Sequence, residues 1–275
     1  MLLRVQRVPF VRGVCCILFA LPMFLALGSC WAGAAAGLAE TGKAAGAPGQ
    51  PSIPEVAVDV GHTLADPGAV SARGRVEFEF NRDLAGLLVT ALQARGVSVR
   101  PVNFDGRIAS LYDRPMVAAG ADFFISIHHD SVQPELLENW EWEGRTQTYS
   151  DRHRGFSLFI SRDSPDLDTS LRCASAIGAR LHHMRFAPTT HHANSLPGRE
   201  RPYADEQNAV HFYDNLVVLY RTSLPAVLLE AGVLKHRDEE LALRDPQRQA
   251  SMADAVASGI AACLYVRLVD RKSVV

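Results

Sequence analysis

Residues 123–130 read FFISIHHD, and this stretch decides the fold. Its apolar run, 123–127, is bounded by polar residues and reads as a strand buried on both faces, as in a parallel sheet. Two other runs repeat the pattern: 56–60 within VAVDVGHT and 226–229 within PAVLLEAG. Residues 77–95 are helical, with Phe80, Leu84, Leu87, Leu88, Ala91 and Leu92 on one face and Gly96 as the stop. Further strands are expected at 97–102, 155–161 and 216–220, and further helices at 108–119, 168–182, 238–243 and 247–269. An Asp or Ser cap is expected to open the helix at 168. Strands alternating with helices predict a single α/β domain, residues 55–275, with an open, mostly parallel (mixed) sheet and helices on both faces.

Two segments break this rhythm. Residues 186–212, rich in Pro, His, Asn and charge, read as a long irregular loop of the kind that forms lids. Residues 131–154 carry Trp140 and Trp142, which either stack on sugar rings or pin the loop to the core.

The 275-residue chain is 48% hydrophobic and 21% charged, enough for a sizeable core. Arg4, Arg7 and Arg12 precede an uncharged apolar stretch, 13–29, and small residues follow. Residues 1–31 therefore read as a secretory signal peptide, too short and too interrupted by Pro22 for a membrane span. Leu27-Gly28-Ser29-Cys30 also resembles a lipoprotein cleavage box, in which Cys30 would bear a lipid anchor to the membrane, although Trp31 follows it awkwardly. Residues 32–54, mostly Ala, Gly and Pro, are expected to be a flexible tether. Without the leader the chain keeps 25 basic and 30 acidic residues, a net charge of −5. No basic stripe exists to grip phosphates, which argues against nucleic acid. Cys173 and Cys263 read as buried free thiols that could pair in an oxidising compartment.

In an open α/β sheet, ligands bind beyond the carboxyl ends of the strands. His62, His128 and Glu230 each fall at such an end, and Glu77 opens the helix that follows the first strand. Taken singly, each has a plainer explanation: a core histidine, a helix N-terminal acid, a salt-bridge partner. Together they are a set suited to zinc, with one carboxylate left over for proton transfer. His182, His183, His191 and His192 are expected to be solvated, although the last two could touch substrate or a second metal. No G-x-S-x-G elbow is present.

These residues resemble the zinc-dependent N-acetylmuramoyl-L-alanine amidases of the amidase type 3 family. The resemblance rests on Asp59–Ala69 (DVGHTLADPGA), on Glu77 with Asn81, on Ser126-Ile127-His128, and on Pro225–Gly232 (PAVLLEAG). It implies that His62, Glu77 and His128 bind Zn2+ and that Glu230 is the catalytic acid–base. It also implies cleavage of the amide between the lactyl group of N-acetylmuramic acid and L-alanine in peptidoglycan. His129 and Asn81 are expected to bind substrate. The chain departs from the family at Thr63-Leu64, where Gly-Gly is common, and at His129-Asp130, where Ala-Asn is common. The competing readings are a zinc amidohydrolase of small N-acyl amino acids and an inactive wall-binding protein of the same fold. An exported, periplasmic enzyme of wall remodelling or cell separation, controlled by an inhibitory element or a protein activator, is the expectation.

Overall fold

The computed structural model describes residues 53–193 and 200–273, all within one compact unit. The expected leader, Cys30 and nearly all of the tether lie outside these residues. The strands are β1 (Glu55–Val60), β2 (Ser98–Val102), β3 (Phe123–Asp130), β4 (Glu138–Trp142), β5 (Arg145–Tyr149), β6 (Ser157–Ile160), β7 (Tyr203–Asp205), β8 (Val210–Phe212) and β9 (Ala226–Val233). The helices are α1 (Glu77–Gln93), α2 (Asp113–Ala118), α3 (Leu167–His183), α4 (Val217–Tyr220), α5 (Arg237–Leu243) and α6 (Pro246–Ser273).

Seven strands form one sheet in the order β2-β1-β3-β9-β6-β8-β7. β2, β1, β3 and β9 run parallel. β6 turns against β9, β8 follows β6, and β7 reverses again. The expected mixed, mostly parallel sheet is therefore what forms. Side-chain alternation splits the core between its two faces. Val56, Val58 and Val60 of β1 join Phe123, Ile125 and Ile127 under α1, α3 and α6. Ala57, Phe124, Ala226 and Leu228 face the other way, against Ala118 of α2 and Leu219 of α4.

Several expectations change. Residues 216–220 form no strand: Val217–Tyr220 is a helical turn that packs Val218 and Leu219 onto one face of the sheet, with Phe124 and Leu228, instead of joining it. Residues 186–212 are not wholly irregular: β7 and β8 lie there, three residues each and too short to leave a period in the sequence. The helix expected from 108 begins at Asp113, since Pro115 has no N–H to donate and fits only a first turn. Residues 138–149 make a hairpin whose turn residues, Glu143 and Gly144, both have positive φ (49° and 71°). Trp140 pins this hairpin, donating its indole N–H to the Ala72 carbonyl at 2.9 Å. Asp166 caps α3 by accepting from the Thr169 N–H.

Cys173 and Cys263 are bonded to each other, not free. α3 and α6 lie close enough for this because Gly259 has no side chain; a Cβ there would meet Ile177 Cα at 2.6 Å.

Candidate metal centre and active site

Parallel pairing brings the chemistry to one rim. Val60 ends β1 beside Ile127 of β3, so His62 emerges next to His128, and His128 is in register with Glu230 of β9. The turn after β1 is held from beneath. Asn103 donates to the carbonyls of Val60 and His62 at 2.7 and 2.6 Å, and the buried Arg114 guanidinium donates to the same two at 3.0 and 2.6 Å. Both glycines of the 59–69 motif have steric reasons. A Cβ on Gly61 would fall 2.3 Å from His128 Cε1, and one on Gly68 would fall 2.6 Å from Glu77 Oε2. His62 itself has φ 67°, a costly conformation for a residue with a side chain. Thr63, in place of a glycine, closes the turn by accepting from the Asp66 N–H at 2.9 Å.

Glu77 sits between the two imidazoles. Its Oε2 lies 3.1 Å from His62 Nε2 and its Oε1 3.2 Å from His128 Nδ1. The donor atoms of His62, Glu77 and His128 all lie within 4.8 Å of one another. Two imidazole nitrogens and a carboxylate oxygen at this spacing fit the donor set of a zinc site with room for a further ligand. Burial works to raise the Glu77 pKa, but hydrogen bonds from His128 and His62 outweigh it and hold the carboxyl well below its ordinary value. For His62, burial opposes protonation while the hydrogen bond and charge of Glu77 favour it, and the net shift is upward.

Glu230 differs. Its Oε2 is buried with no hydrogen-bond partner. Burial, and then the charges of Asp130 and Glu77, push its pKa well above the ordinary carboxylate value. It opens into a cavity with Asp130, Phe159, His191, His192 and Tyr213, and Leu216 separates this from a second cavity lined by His62, His128, Asp66 and Arg114.

His129 and Asn81 do not sit where a substrate contact requires. His129 is 3% exposed, and burial drives its pKa down to about 3, leaving a neutral ring. Its Nδ1 is 2.8 Å from Asn81 Oδ1, and Asn81 Nδ2 donates to Glu77 Oε1 at 3.1 Å. Both therefore brace the Glu77 carboxylate from behind, because alternation along β3 turns His129 inward when His128 faces the rim. Of the other histidines, His183 is exposed as expected, whereas His191 and His192 are not solvated: both point at Asp130. Asn103, Arg114 and Asp130 were missed by sequence reasoning. The HHD run at 128–130 was the one signal available for Asp130.

Fold and site together define an α/β domain with the parts of a hydrolase: a zinc-type donor set and a separate, proton-retaining carboxyl at the sheet rim. Comparison with known proteins narrows this. The chain matches the N-acetylmuramoyl-L-alanine amidase family over residues 56–262, and it belongs to that family, whose members are peptidoglycan amidases. It is 24% identical over 216 residues to N-acetylmuramoyl-L-alanine amidase AmiA of Salmonella typhimurium, a match covering 74% of each chain. The amidase Ami1 of Mycobacterium smegmatis superposes with a TM-score of 0.62 at 20% identity, covering 78% of this chain and 99% of that one. The CwlD amidase of Clostridioides difficile, solved in complex with the GerS lipoprotein, superposes at 0.58 and 20% identity, covering 78% and 99%.

Proposed function

We propose that this amidase is zinc-dependent, with His62, Glu77 and His128 as the metal ligands and Glu230 as the catalytic acid–base. The observation that carries the reading is the convergence of those three donors within 4.8 Å beside a strand-paired Glu230 whose Oε2 has no partner. When bound there, zinc supplies Lewis acidity toward water and toward the scissile carbonyl. Glu230 takes the proton from the attacking water and passes it to the departing L-alanine nitrogen, which leaves poorly as an anion. A carboxyl pushed upward by burial can hold that proton near neutral pH. Asn81 and His129 keep the Glu77 oxygens aimed at the two imidazoles.

The enzyme acts outside the cytoplasm, in the periplasm, on wall remodelling or cell separation. The leader-like start and the buried Cys173–Cys263 disulfide support this, because such bonds persist in oxidising compartments. Among the described residues no helix is long and apolar enough to cross a membrane. A protein activator fits the same setting, and the complex of CwlD with a lipoprotein offers a precedent in a structural relative. The test is release of free stem peptides from purified sacculi: chelation should abolish it and zinc should restore it. Release that survives exhaustive chelation would reject the metal-dependent reading.

A further inference from the structure

On the Glu230 side of the rim, a second set of donors converges that the reaction above does not use. Asp130 ends β3, and His191 and His192 come from the turn after α3. His192 Nε2 lies 2.7 Å and His191 Nε2 3.2 Å from one and the same oxygen, Asp130 Oδ2. The other oxygen, Oδ1, is taken by the Ser131 N–H at 2.7 Å. Side-chain exposures are 9% for His191, 16% for His192 and 12% for Asp130, so none of the three is a solvated surface group. Their donor atoms lie within 4.8 Å of one another, as those of His62, Glu77 and His128 do.

A simple ion pair explains this arrangement poorly. One carboxylate needs one counter-charge, yet two imidazoles stand 4.0 Å apart, centroid to centroid, and would repel each other if both were protonated. The surroundings suit neutral rings acting as ligands. Thr189 Oγ1, buried and 2.7 Å from His191 Nδ1, can accept that nitrogen's proton and leave the Nε2 lone pair facing Asp130. Ligating histidines are held by such partners. Phe159 packs edge-on against His192 at 4.9 Å and 81°, fixing the second ring.

We propose that Asp130, His191 and His192 form a second divalent-cation site, opening on the cavity that holds Glu230. Two imidazoles and a carboxylate select zinc or a similar transition ion over calcium or magnesium, which prefer all-oxygen shells. A bound ion would tie the segment after α3 to the end of β3, beside the proton-carrying carboxyl. The proposal does not depend on whether His62, Glu77 and His128 hold zinc.

The test is metal content of the full-length, tag-free chain after dialysis against buffered Zn2+. Wild type is expected to hold two equivalents, His191→Ala/His192→Ala one, Asp130→Asn one, and His62→Ala/His128→Ala one. A single equivalent in wild type that persists in His191→Ala/His192→Ala overturns the proposal, as does zinc-free wild type. One equivalent that is lost in His191→Ala/His192→Ala but kept in His62→Ala/His128→Ala upholds it and rejects the zinc reading of the first site. Should the double variant misfold, anomalous diffraction at the zinc edge from wild-type crystals decides. A peak bounded by Asp130 Oδ2 and the two Nε2 atoms supports the site, and a map without one overturns it.

Discussion

Replacing Glu230 by Gln preserves shape and removes one ionisable group, so it separates chemistry from folding. General acid–base catalysis contributes about 10²–10⁴-fold, and turnover on sacculi should fall by that factor, with zinc content unchanged. Stability should move the opposite way. The folded-state pKa of Glu230 lies above its ordinary value of 4.5, through burial and then the charges of Asp130 and Glu77. Below pH 4.5 both folded and unfolded chains carry the proton, so wild type and the Glu230→Gln variant should be near parity. As pH rises past 4.5, the unfolded chain releases its proton more readily than the folded one, and wild type loses stability relative to the variant. The difference grows until pH passes the folded-state pKa and then levels off. One pKa unit is worth about 1.4 kcal/mol. Glu230→Gln should therefore stabilise the metal-free protein at pH 8 and do so far less at pH 4. Urea titrations at both pH values in chelator, paired with a soluble-fragment release assay, measure both halves. A variant that digests sacculi at the wild-type rate refutes the catalytic role. One that is less stable than wild type at pH 8 refutes the claim that burial disfavours the Glu230 charge.

Other perturbations probe the supporting structure. Gly61→Ala places a methyl 2.3 Å from His128 Cε1, and the displaced imidazole should cost most of the metal affinity, read by competition with a chromogenic chelator. Asn81→Ala frees Glu77 Oε1 and His129 from their shared partner; zinc affinity should fall by roughly 10–100-fold, the usual effect of losing such a support, with kcat recovered at saturating zinc. Unchanged affinity would mean that Glu77 needs no brace. Reducing Cys173–Cys263, 90 residues apart in sequence, should destabilise the domain by about 4.6 kcal/mol on the chain-entropy account. Urea midpoints with and without reductant check this, and coincident curves would contradict it.

What was legible beforehand follows from periodicity and from strand ends. The buried runs at 123–127 and 226–229 announce a parallel sheet, because only strands covered on both faces stay apolar without alternation. Groups just past such runs share a rim whatever the details of packing, which is why His62, His128, Glu77 and Glu230 could be grouped from sequence. Short or crowded elements were not legible. β7 and β8 are three residues each, and the helical turn at 217–220 is one turn long, with Val218 and Leu219 buried on a sheet face.

The amino-acid order by itself settled the donor types and their placement at the sheet's carboxyl rim, since strand alternation and helix starts are local and are written in the side chains. Tertiary structure alone decided which groups meet across long sequence distances: Cys173 with Cys263, Asn81 with His129 behind Glu77, and Asp130 with His191 and His192. Those meetings depend on how close α3 lies to α6 and on where the segment after α3 settles. Packing of the whole core sets such distances, and no local pattern encodes them.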